Sequence, residues 1–116
     1  MQELLINAEI DAPGIVLRVA GELDLDTAPK LRERIDRALD AGADGLVVDL
    51  TEVTFIDSVS LATLVAARTR LQPYGHLALV ATTPFVLLVL EASGLDRVFD
   101  VFADRRAAEA FAFGTS

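Results

Sequence analysis

Two short stretches of the chain concentrate side chains able to do chemistry. The first is Phe55-Ile56-Asp57-Ser58-Val59-Ser60-Leu61, where a carboxylate precedes two hydroxyls. Beyond it Leu61, Leu64, Val65, Arg68 and Leu71 recur at helical spacing, so a helix begins at Ser58 or close to it. A helix start has unsatisfied amide donors and a partial positive charge, which support a phosphate by roughly 0.3 to 1 kcal/mol. Phosphorylation of Ser58 would add about −1.5 to −2 charges beside Asp57, which suits a modification that repels a partner. Taken by spacing alone, however, the serine needs no role beyond capping the helix.

The second stretch is Gly21-Glu22-Leu23-Asp24-Leu25-Asp26-Thr27-Ala28, which crowds acids into a connection that needs only one cap. Two readings stand open. Either Asp26 or Thr27 caps the following helix and the remaining acids are solvated, or the acids form the rim of a binding surface.

Other chemistries lack their residues. The 116-residue chain has no cysteine, so thiolate catalysis, disulfides and cysteine-ligated metals are excluded. His76 is the one histidine, and its polar neighbours suggest a loop position without a metal. A Ser58–His76 hydrolase would want the glycines of a nucleophile elbow, but Ile56 and Ser60 stand there instead, so no enzyme is expected. The net charge of −8, with arginines scattered among acids, offers no basic face for nucleic acid and favours a partner with a basic or mixed surface. The stretch MQELLINAEID carries acids early, so no export signal is expected, and the longest apolar stretch, Leu77 to Leu90, is broken by Thr82, Thr83 and Pro84. A cytoplasmic protein without a membrane span is expected.

The elements that must position these stretches follow from periodicity. Leu4 to Asp11 and Ile15 to Ala20 read as a hairpin turning at Ala12, Pro13 and Gly14. Thr27 can cap a helix from Ala28 to Ala41, with Leu31, Ile35 and Leu39 as its buried stripe and Gly42 ending it. The segment Leu46 to Leu50, aliphatic except for Asp49, reads as a strand covered on both faces. The helix from Ser58 stops at Pro73 and Gly75, Leu77 to Ala81 form a strand, and Pro84 opens a mostly apolar helix through Glu91 that Gly94 terminates. Val98 to Phe102 reads as a last strand, and Asp104 caps a helix through Ala112 before the polar tail Gly114, Thr115 and Ser116. The expectation is one α/β domain over residues 1–116, a mixed β-sheet packed with about four α-helices in the order β-β-α-β-α-β-α-β-α. A hydrophobic fraction of 53% fills such a core.

GELDLDTAPKL from Gly21 to Leu31 and VVDLTEVTFIDSVSL from Val47 to Leu61 resemble the two signature stretches of STAS domains in bacterial anti-sigma factor antagonists. The element order and the Ala92 to Phe99 stretch extend the resemblance over essentially the whole chain. It implies that Ser58 is the phosphorylated serine, that the unmodified protein binds an anti-sigma factor serine kinase and so frees a sigma factor, and that a PP2C-type phosphatase reverses the modification. It places partner contacts at Glu22, Asp24, Thr27, Asp57, Ser58, Val59, Ser60 and Leu61, and implies no cofactor and a monomer or weak dimer. A STAS subunit of a transporter or another signalling complex, without a phosphoswitch, is the alternative. The family pattern Ser-Ser-Gly-Leu or Ser-Thr-Gly-Leu is replaced by Ser58-Val59-Ser60-Leu61. That substitution adds a side chain where a partner's backbone could approach and makes Ser60 a second hydroxyl expected to face outward.

Overall fold

The aliphatic residues Leu46, Val47 and Val48 lie at the middle of a five-stranded sheet and are fully buried, since helices cover both faces there. The computed structural model describes residues 3–11 and 14–114. Its elements are β1 (Leu5–Asp11), β2 (Gly14–Leu23), α1 (Ala28–Asp40), β3 (Gly45–Ile56), α2 (Ser58–Leu71), β4 (His76–Val80), α3 (Pro84–Ala92), a 3-10 turn at Leu95–Arg97, β5 (Asp100–Phe102) and α4 (Arg105–Phe113). The α/β order is the expected one. The strands run β1-β2-β3-β4-β5, with β1 antiparallel to β2 and every later neighbour parallel. The expected turn at Ala12 and Pro13, and the tail at Thr115 and Ser116, lie outside the described residues.

One sheet face packs Leu31 and Ile35 of α1, Leu61 and Leu64 of α2, and Val86 and Leu90 of α3 against Leu17, Val48 and Leu79. The opposite face receives α4, whose Ala108 and Ala112 meet Val16, Val47, Ala78 and Val80. Small residues let that helix approach closely. A β-carbon at Gly45 would lie 2.2 Å from the Ala112 carbonyl oxygen, so only glycine fits beneath the end of α4.

Three expectations are corrected. β3 does not stop at Leu50 but runs on to Ile56. Its buried residues Leu50, Val53 and Ile56 are three apart because register shifts against Arg18–Ala20 and Gly21–Glu22 each insert an extra residue. His76 is not in a loop: it is the first residue of β4, exposed, with its ring 5.1 Å from that of Phe111. The last strand is only Asp100–Phe102, because Leu95–Arg97 turns first and buries Phe99.

Charged side chains guard the outer strand. β1 has a neighbour on one side only, and its free carbonyls are a template for another strand. Lys30 donates to the Leu4 carbonyl, and Arg34, one turn further along α1, donates to that of Ile6 at 2.8 Å. On the other face Arg105 grips Glu9 through two hydrogen bonds of 2.7 and 3.2 Å, tying α4 to β1. The Arg105 hydrogen bond holds the Glu9 carboxyl below the usual glutamate range. A folded-state pKa that is lowered contributes stability above the unfolded value and loses it as pH falls through the lowered one, so this tie weakens only in acid.

Two outcomes follow from this packing. Gly45→Ala should lower the urea midpoint, costing about 1 to 3 kcal/mol for the forced shift of α4. The double variant Lys30→Ala/Arg34→Ala should self-associate through β1 at concentrations where the parent sediments as a single species.

Candidate functional site

The two acid-bearing stretches meet at the C-terminal ends of β2 and β3. Leu23 is the register partner of Ile56, and Glu22 that of Phe55. Asp57 then makes the joint. Its backbone N–H donates to the Leu23 carbonyl at 3.0 Å, its φ of −118° and ψ of 178° keep it extended, and its carboxylate accepts from the Ser60 N–H at 2.9 Å. Asp57 is therefore the N-cap of α2, which removes the capping role that spacing allowed for Ser58. Ser58 is the first helical residue, and it is exposed.

The connection from β2 to α1 is folded by its own polar groups. One carboxylate oxygen of Asp24 accepts from the N–H groups of Asp26 and Thr27, both at 3.0 Å. The Thr27 hydroxyl donates to the Glu22 carbonyl at 2.7 Å and accepts from the Asp24 N–H at 2.9 Å. Thr27 is the residue before α1, yet its side chain makes no capping bond, so it shapes the turn and does not cap the helix as expected. Asp24 is half-buried and committed to the same turn, whereas Glu22 and Asp26 are exposed. Clustered carboxylates beside Ser58 give this end of the molecule a negative surface.

Two residues expected at the partner surface are withdrawn from it. Leu61 is 4% exposed and belongs to the core under α2. Ser60 is 0% exposed, and its hydroxyl has no hydrogen-bond partner among the described residues. It lies about 200° around the helix from Ser58, which turns it to the inside. The glycine that the family pattern places here is thus a packing position, and the replacement alters the core instead of the outer face. Val59 remains outside, lining a groove of about 610 Å³ between α1 and α2. Arg70 holds those helices together through Asp36 at 2.8 Å and Asp40 at 3.0 Å.

The structure also separates Ser58 from His76. His76 pairs with Gly45, at the far end of β3 from Ile56, so eleven residue steps and on the order of 30 Å of strand lie between them. Ser58 and His76 therefore do not form a pair. Sequence reasoning missed the exposed apolar residues near Ser58. Phe55 stacks on Phe85 of α3, ring centroids 5.4 Å apart, and Leu88 is exposed one turn further on. The signal was present in α3, which is apolar on every face although only one face can be buried. Among the described residues no helix is long and apolar enough to cross a membrane.

A mixed sheet with three helices on one face and one on the other, and an aspartate-capped helix opening on an exposed serine, define the architecture to which the chain is assigned. The STAS domain family matches residues 6–108, and the chain belongs to that family. Among its relatives, the anti-sigma-F factor antagonist RsfB of Mycobacterium tuberculosis is 33% identical over 88 residues, covering 76% of this chain and 72% of that protein. An anti-sigma-B factor antagonist of Listeria monocytogenes is 33% identical over 94 residues, covering 80% and 82%. The crystal structure of an anti-sigma factor antagonist from Mycobacterium paratuberculosis superposes with a TM-score of 0.89 at 28% identity, over 95% of this chain and 94% of that one.

The unpartnered hydroxyl of Ser60 has a measurable consequence. Burying a hydroxyl without a partner costs about 1 to 3 kcal/mol, so Ser60→Ala should raise stability by a similar amount. Asp57→Ala should lower it by ~1 kcal/mol through loss of the cap. Urea denaturation of the two variants checks both signs.

Proposed function

We propose that this protein is an anti-sigma factor antagonist whose switch is phosphorylation of Ser58. The observation that carries the reading is the placement of Ser58: an exposed hydroxyl at the first position of α2, directly after the capping Asp57. The names of the relatives at 33% identity support the same role. In this reading the unmodified protein occupies an anti-sigma factor serine kinase in the cytoplasm and frees the sigma factor.

The chemistry of release is electrostatic. The kinase transfers the γ-phosphoryl group of ATP to the Ser58 oxygen, and the hydroxyl proton leaves with solvent or a base of the kinase. The product dianion would find the free N–H groups of the first turn of α2, so the fold tolerates it. Its charge adds to those of Asp57, Glu22 and Asp26, and a partner surface tuned to the unmodified site meets a surplus of negative charge. A PP2C-type phosphatase restores the hydroxyl. Val59, beside Ser58, is the exposed side chain that would tune which kinase fits.

Incubation with ATP and each ATPase-fold anti-sigma factor of the source genome should place phosphate on Ser58 alone, by mass spectrometry. Ser58→Ala should bind that kinase like the parent and take no phosphate. Ser58→Asp should bind at least several-fold more weakly by calorimetry. Stoichiometric phosphate on buried Ser60, or equal affinity for the parent and Ser58→Asp, would remove the proposal.

A further inference from the structure

Helix α3 spends its apolar residues in an unusual way. Phe85, Val86, Leu87, Leu88, Val89 and Leu90 follow one another, but only Val86 and Leu90 are buried. Phe85 is 40% and Leu88 60% exposed, and the Phe85 ring is stacked on that of Phe55, itself 37% exposed. Phe55 lies three residues before Ser58. The second register shift in β3, opposite Gly21–Glu22, brings Val53 and Ile56 to the core and leaves Phe55 outside. The result is a patch of two aromatic rings and a leucine, rooted in β3 three residues before the switch serine.

Its surroundings say what fits it. Glu22 is the register partner of Phe55, Asp57 is two residues beyond it, and Glu91 stands one turn past Leu88, while α3 carries no lysine or arginine. A lipid surface is a poor match, because a helix lying in the interface uses a cationic polar face to meet anionic headgroups. A second copy is a poor match too, since a two-fold contact would press these acidic rims together on chains of net charge −8. The complementary occupant is a protein surface that presents apolar side chains ringed by lysine or arginine. Aromatic side chains, phenylalanine included, are enriched at the buried cores of protein–protein interfaces.

We infer that the Phe55–Phe85–Leu88 patch is an apolar anchor for the anti-sigma factor, continuous with Ser58 but independent of its charge. The inference rests on the proposed function for the identity of the partner. The interface then has two parts with different physics. Contact at Ser58 responds to phosphate and to salt, whereas burial of the aromatic stack responds to neither.

The test uses the full chain and the anti-sigma factor that phosphorylates it. Phe85→Ala and Leu88→Ser should each weaken binding by tenfold or more, while the melting temperature stays near that of the parent because both side chains are exposed. Combined with Ser58→Asp, their effects should multiply, and raising the salt concentration should shrink the Ser58→Asp effect alone. Parent-like affinity of Leu88→Ser and Phe85→Ala, with Ser58→Asp still weakened, would overturn the anchor and leave the switch standing. Weak binding by the patch variants with full binding by Ser58→Asp would uphold the anchor and overturn the switch. A parent dimer in sedimentation that Leu88→Ser dissociates would show that a second copy covers the patch and overturn the inference.

Discussion

The hydrogen bond from the Asp57 N–H to the Leu23 carbonyl determines how this end of the molecule is arranged. It continues the pairing of β2 and β3 by one step and then ends it, because the same residue turns its carboxylate to cap α2. One residue thereby closes a sheet and opens a helix. Ser58 is exposed because the cap is already filled, and the acidic turn at Glu22–Thr27 lies beside it because Leu23 is the partner that Asp57 holds. The helix start keeps donors free for an anion while the neighbouring carboxylates raise the local negative potential. A phosphate would thus be stabilised from within the chain and felt as repulsion from outside.

The same end of the molecule combines two interactions that rarely compete. Carboxylates act over a Debye length and fade with salt, whereas the aromatic stack acts only at contact. Their separation is built by the strand, not by a loop. β3 positions Phe55 on one side of the joint, and α2 presents Val59 on the other.

Much of this was legible in the sequence, and the failures have physical causes. Helices α1 and α2 could be read from their 3.6-residue spacing, α3 from Pro84 and Gly94, and α4 from the capping Asp104. The far half of β3 could not. Its buried residues are three apart instead of two, since the two bulges add residues that no alternation rule anticipates. Ser60 was misjudged for a related reason: the first turn of a helix gives too few residues to tell which side faces the core, and a hydroxyl suggests solvent. Thr27 was given the cap because threonine caps well in general, but here its hydroxyl is spent on the Glu22 carbonyl. The Phe55–Phe85 pair joins residues thirty positions apart, and only the folded chain shows that they touch.

The unequal lengths of β3 and β4 also bear on how far a change at Ser58 can travel. β4 pairs with β3 only between Gly45 and Asp49, so the stretch from Leu50 to Ile56 has a strand neighbour on the β2 side alone. That overhang is a cantilever: its root is fixed in the best-buried part of the sheet, and its tip carries the α2 joint. On the proposed reading, a phosphate at Ser58 would be presented at the tip of this overhang, where a partner meets it directly.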